Sequence, residues 1–61
     1  MSKMKELRFF KGLSQWQIRM VTGISQAKLS LIERGYIVPQ EEEKKKIAAA
    51  LNVRPEEVFP E

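Results

Sequence analysis

Hydrophobic residues recur three and four positions apart along most of the chain, with helix start and stop signals between the repeats. Met4 and Leu7 share one face of a helix predicted over residues 3–11, and Gly12 ends it. No segment alternates apolar and polar residues over the length of a strand. The pattern therefore predicts an all-α chain.

Two neighbouring segments begin with a serine cap. Ser14 and Gln17 have the spacing of a capping box, which predicts a second helix over residues 15–22. Ser25 is placed as the N-cap of a third helix over residues 26–34. A glycine-centred turn of about three residues separates the two helices, which is the local description of a helix-turn-helix with a core over residues 14–34.

The last third of the chain predicts two further helices. Ile47, Ala48 and Leu51 form the apolar stripe of a helix over residues 40–51, whose run of three Glu and three Lys is expected to form exposed ion pairs. Pro55 suits the first position of a short helix over residues 55–59. The expected architecture is a compact five-helix bundle.

The third helix predicts an exposed polar face. At about 100° per residue, Leu29 and Ile32 point inward together. The opposite side displays Gln26, Ala27, Ser30, Leu31 and Arg34. Gln can pair with the edge of adenine, Ser with several bases, and apolar groups with the thymine methyl. Leu31 has an equally good alternative, which is to cover Tyr36 after the helix ends.

Length and composition narrow the function classes. With 61 residues we expect one domain over residues 1–61, and without Cys or His the usual zinc sites and the Cys or His catalytic groups are excluded. We expect no enzyme activity, no metal, no cofactor and no small-molecule ligand. The chain shows neither an apolar signal segment nor a membrane span, so a cytoplasmic location is expected.

Charge is unevenly distributed along the chain. Residues 1–38 hold seven basic and two acidic residues, whereas residues 39–61 hold four basic and six acidic residues. A basic half beside an acidic half is typical of a small domain that binds a polyanion, although a solvated surface can look similar.

The chain resembles the phage-repressor family of Cro/CI type, also called Xre-like or lambda-repressor-like. The resemblance is carried by Leu7-Arg8, Gly12-Leu13-Ser14-Gln15, Gly23-Ile24-Ser25, Leu29, Ile32-Glu33-Arg34-Gly35, Pro39, Ile47-Ala48, Ala50-Leu51 and Val58-Phe59. It implies a sequence-specific transcriptional regulator of double-stranded DNA, expected to be a repressor, whose third helix enters the major groove. It also implies a homodimer on a two-fold operator, for which we expect the apolar end near Val53, Val58 and Phe59 to be used.

The resemblance also implies individual roles. Base-facing residues would be Gln26, Ala27, Ser30 and Leu31, and phosphate contacts would come from Gln15, Ser25, Lys28 and Arg34. Arg8 and Glu33 would form a structural ion pair.

Some residues fit the resemblance less directly. Arg19 stands where the family prefers a small residue, and we expect it to bury its methylenes and extend its guanidinium to solvent or phosphate. Phe9, Trp16 and Met20 point away from the predicted core faces, and the leading interpretation is burial elsewhere. Exposure would instead indicate a protein interface, which suits the alternative function of a helical adaptor or an antitoxin component.

Overall fold

Residues 2–60 are described by a computed structural model, in which five α-helices follow one another through short loops. The helices are α1 (Met4–Phe10), α2 (Gln15–Thr22), α3 (Gln26–Glu33), α4 (Glu41–Leu51) and α5 (Pro55–Val58). The described residues contain no strand, and each predicted bound lies within one residue of the observed one. The prediction of an all-α bundle is confirmed.

Local hydrogen bonds fix where the helices begin. In the capping box of α2, the Ser14 hydroxyl accepts from the Gln17 amide at 3.1 Å, and the Gln17 side chain accepts from the Ser14 amide at 2.7 Å. The Ser25 hydroxyl accepts from the Lys28 amide at 3.2 Å. These bonds satisfy amides that the first turn of a helix leaves without partners.

The core draws on all five helices. Its largest side chains, each less than 2% exposed, are Met4, Ile18, Leu29, Ile32, Ile47, Leu51 and Val58. Burial of one such side chain contributes about 1.5 to 3 kcal/mol, so these seven residues dominate the stability of a chain this short. Helix α2 packs against α3 and α4, and α4 packs against α5.

The two ends of the chain are joined. The Lys3 amide donates to the Val58 carbonyl at 2.7 Å, and Met4 is fully buried directly after it. Helix α1 is therefore anchored at its first turn, which sets the direction of the side chains that follow on it.

Candidate nucleic-acid interface

The turn between α2 and α3 is short and internally bonded. Gly23 ends α2 with φ of +76°, a left-handed conformation that glycine adopts without strain. Thr22 is buried, and its hydroxyl donates to the Ile18 carbonyl at 2.8 Å while accepting from the Ile24 amide at 3.1 Å. The hydroxyl thus couples the end of α2 to the turn, a role that the sequence pattern did not indicate.

Helix α3 is anchored by two side chains and leaves its opposite side open. Leu29 and Ile32 are buried in the core. Gln26, Ala27 and Leu31 are exposed, whereas Ser30 is half-buried. The outward side of α3 is therefore accessible at three of the four positions expected to face bases and partly covered at Ser30.

A charged network joins α1, α2 and α3 beside this surface. The Arg8 guanidinium donates to the Glu33 carboxylate from Nε at 2.8 Å and from Nη2 at 3.3 Å, and to the Leu13 carbonyl from Nη1 at 3.1 Å. Glu33 Oε1 also accepts from Gln15 Nε2 at 3.2 Å. Arg8 and Glu33 are thus in contact, and Gln15 is held at the start of α2 by the same carboxylate.

Lys28 lies on the other flank of α3 and is paired within the chain. Its ammonium forms a salt bridge with the Glu43 carboxylate of α4. The bond from Lys28, together with the bond from the Gln40 amide at 2.9 Å, lowers the pKa of the Glu43 carboxyl below its ordinary 4.5. The family resemblance implies a phosphate contact for Lys28, and no spacing in the sequence indicates this acidic partner.

The remaining proposed phosphate residues differ in their surroundings. Arg34 follows α3 as its C-cap and is exposed. Ser25 is exposed, but its hydroxyl is occupied by the cap of α3. Arg34 therefore presents a charged group to solvent, whereas Ser25 presents mainly its backbone.

Several large apolar side chains are exposed, and the interpretation that Phe9, Trp16 and Met20 are buried elsewhere is wrong. Their exposed fractions are 67%, 53% and 60%. Trp16 and Met20 are one turn apart on the side of α2 that faces away from the core, so no helix of the described chain covers them. The Phe9 ring lies beside the Arg8 guanidinium, whose Cζ is 5.1 Å from the ring centre.

Arg19 lies on the exposed part of α2. The packing of α2 against α3 and α4 is retained with this long side chain present, because the residue is directed to solvent rather than between the helices.

The apolar end that we expected to support dimerisation needs correction. Val58 is fully buried, and Val53 and Phe59 are half-buried parts of the core surroundings. Val38, which lines a groove with Phe59, is instead accessible near this end, and Tyr36 of the same loop is exposed as well. Val58 is not available to a second copy, because α5 directs its side chain into the core.

The loop after α3 also bears on the two interpretations of Leu31. The Tyr36 amide donates to the Leu31 carbonyl at 2.9 Å, which closes the helix end. The Tyr36 side chain is nevertheless 71% exposed, and Leu31 keeps 38% of its own surface in solvent. Leu31 thus remains accessible to a partner.

Residues 2–60 were also searched for a metal site and for a membrane-spanning helix. No group of three or more acidic residues in this part of the chain is arranged to hold a metal ion. None of the helices described here has the length and apolar character required to cross a membrane.

The chain was compared with models of protein families and with curated proteins. A family model described as helix-turn-helix matches residues 4–58, which includes all five helices. A comparison with curated proteins gives no match.

Proposed function

Because this chain belongs to the helix-turn-helix family of Cro/C1 type, a family of DNA-binding regulators, we propose that it is a transcriptional regulator that reads duplex DNA sequence-specifically with α3. The observation that carries the proposal is that α3 buries Leu29 and Ile32 in the core and bonds to α1 and α2 through Glu33, while Gln26, Ala27 and Leu31 on its outward side stay exposed. A helix held in this way can enter the major groove without rearranging the core.

In this proposal the first two turns of α3 supply the base contacts. Gln26 pairs with the N6 and N7 edge of an adenine, and Ala27 and Leu31 contact thymine methyl groups. Ser30 is half-buried in the groove lined by Lys5 and Gln15, so it presents less of its surface to a base than Gln26 does. Each well-formed base contact contributes about 1 to 3 kcal/mol of discrimination.

Backbone contacts then fix the position of the domain. Gln15 keeps one amide hydrogen and its carbonyl beyond the bond to Glu33, so it can donate to a phosphate from its fixed position. Arg34 supplies a positive charge, and Ser25 presents its backbone at the N-terminus of α3. Lys28 contributes less to DNA affinity than an unpaired lysine would, because a phosphate must first displace the Glu43 carboxylate from the salt bridge.

We further propose repression by occupancy of an operator, with two copies bound around a two-fold axis. Tyr36 and Val38 support this arrangement, since both are large, apolar and mostly exposed beside α3. Two copies that share this loop would place two α3 helices side by side on successive major grooves.

A second candidate function is favoured by a separate observation. Trp16 and Met20 form an uncovered apolar surface on α2, outside the proposed DNA-reading side of α3. A protein-binding adaptor, or the antitoxin of a toxin pair, would use such a surface for a protein partner. We rank it second because the matched family is one of DNA-binding regulators and because α3 is open.

The test begins by selecting bound sequences from random duplexes with the full chain. Affinity for the selected duplex is then measured for the wild type, for Gln26→Ala and for Met20→Ala. We expect Gln26→Ala to lower discrimination at one base pair by about 5- to 150-fold, the equivalent of 1 to 3 kcal/mol. Met20→Ala is the matched control, because it shortens an exposed apolar side chain outside α3.

Salt separates the two candidates further. Binding through several phosphates should weaken by orders of magnitude between low and moderate salt, whereas apolar protein association should hardly change. A wild-type chain that selects no sequence, or a Gln26→Ala variant with unchanged discrimination, would contradict the assignment of α3.

A further inference from the structure

A groove lies between α1, α2 and α3, next to the outward side of α3. It is half open to solvent, has a volume of about 310 Å³ and is lined by Lys5, Arg8, Gln15, Ser30, Glu33 and Arg34. Since one water molecule takes about 30 Å³ of liquid, the groove can accommodate a phosphate group with part of its hydration.

The charges in the groove are not balanced. Glu33 is engaged by Arg8 and by Gln15, and the Arg8 guanidinium is satisfied by Glu33 and the Leu13 carbonyl. Lys5 and Arg34 form no salt bridge with any residue between 2 and 60. The groove therefore holds one neutralised pair and two cations, a net charge of +2.

The positions of these cations are set by the fold. Lys5 follows the fully buried Met4, in a helix whose start is bonded to α5, so α1 holds its side chain at the groove. Arg34 caps the end of α3. Cations from two elements thus face one polar groove, and the Gln15 amide and Ser30 hydroxyl add uncharged donors.

The two flanks of α3 differ in whether their cations are paired with a carboxylate. On the flank towards α4, the cation Lys28 is neutralised by Glu43. On the flank towards α1, Lys5 and Arg34 have no such partner within the described residues, and the acidic Glu33 is already saturated by donors. An approaching polyanion is therefore drawn to the groove side of α3.

We propose that this groove binds one phosphate of the DNA backbone and that Lys5 of α1 is one of its ligands, together with Arg34. The proposal rests on the proposed function, because it assumes that a duplex lies along α3. Two exposed cations bind free phosphate only weakly, whereas a duplex held by α3 presents its phosphate to the groove at high effective concentration. The source of the anion is thus the duplex, and Lys5 positions it without reading a base.

The test compares three charge-removing variants of the full chain. Lys5→Gln and Arg34→Gln remove cations of the groove, and Lys11→Gln removes an exposed cation just beyond the other end of α1. Affinity for the selected duplex is measured by fluorescence anisotropy between about 50 and 200 mM salt. Circular dichroism verifies that each variant is folded.

We expect the slope of log affinity against log salt to decrease by about 0.9 for Lys5→Gln and for Arg34→Gln, because each variant removes one of the two cations that hold the phosphate. Between 50 and 200 mM salt, the affinity of each variant for the duplex should therefore fall by a factor about 3.5 times smaller than that of the wild type. The slope for Lys11→Gln should equal that of the wild type. An unchanged slope for Lys5→Gln, or an equal decrease for Lys11→Gln, overturns the proposal.

A second measurement separates failure of the groove from failure of the proposed function. Inorganic phosphate is titrated into the full chain, and amide chemical shifts are followed. Weak binding at Lys5, Gln15 and Arg34 that is lost in Lys5→Gln supports the groove even if the wild type binds no duplex. If the wild type binds duplex but neither the slope nor these shifts depend on Lys5, the groove is wrong while the function stands. If acidic peptide rather than duplex or phosphate produces the shifts, the phosphate assignment is wrong.

Discussion

Replacing Glu33 with Gln tests the network that joins the first three helices. The Arg8 and Glu33 side chains are 12% and 5% exposed, and the carboxylate accepts three hydrogen bonds, two from Arg8 and one from Gln15. The amide of the variant keeps one acceptor but turns an NH₂ group towards Arg8, so a nearly buried guanidinium loses its counter-charge. Removal of one partner from a buried pair costs about 3 to 5 kcal/mol.

We expect a loss of about 3 kcal/mol, at the low end of that range, because Arg8 keeps its bond to the Leu13 carbonyl and some contact with solvent. A 61-residue chain is stable by about 3 to 9 kcal/mol, so the variant loses a third or more of its folding free energy. The midpoint of thermal unfolding should fall by about 12 °C or more. Urea unfolding followed by circular dichroism at 25 °C gives the free energy directly.

The matched control is Glu41→Gln. Glu41 lies 3.6 Å from the Lys44 ammonium, but its side chain is 78% exposed, so its loss should cost less than about 1 kcal/mol. The double variant Arg8→Met with Glu33→Leu should recover most of the stability that Glu33→Gln loses, because it leaves no unpaired charge. If Glu33→Gln proves no more harmful than Glu41→Gln, the network does not hold the helices together and our reasoning is refuted.

Three further outcomes are expected. Thr22→Val should destabilise the chain by about 1 to 3 kcal/mol in urea unfolding, because the buried Ile24 amide loses its acceptor; a neutral result would show that the hydroxyl bridge is dispensable. Since the pKa of Glu43 is lowered mainly by Lys28, this carboxylate stabilises the fold above pH 4.5 and ceases to do so as the pH falls through its lower folded-state pKa. Glu43→Gln should therefore flatten the acid-induced loss of stability in urea titrations between about pH 3 and 6, and an equally steep loss would contradict this. The fluorescence of Trp16 should be quenched readily by iodide in the free chain, and strong protection would show that the residue is covered, for example by a second copy.

Local signals allowed most of the fold to be predicted from the sequence. A serine cap, a glycine stop and apolar residues at helical spacing act within a few residues of one another, so they fixed the bounds of α2 and α3. The inward side of α3 followed from Leu29 and Ile32 in the same way. Periodicity identifies which residues share a face without reference to the rest of the chain.

What the sequence did not reveal depends on how helices are placed against one another. The pairing of Lys28 with Glu43 requires α4 to cross beside α3, and no spacing along the chain encodes that distance. Trp16 and Met20 were expected to be covered because they are apolar, but no helix of residues 2–60 lies over that side of α2. Val58 was expected at a dimer interface, but a helix of four residues is too short for its inward side to be identified from spacing.

The residues of α3 that hold it in the bundle are not the residues proposed to contact bases. Leu29 and Ile32 must be kept for the bundle to form, whereas Gln26, Ala27 and Leu31 can be exchanged at almost no cost in stability. If α3 reads DNA as proposed, natural or laboratory evolution can therefore redirect this scaffold to new target sequences by changing three codons.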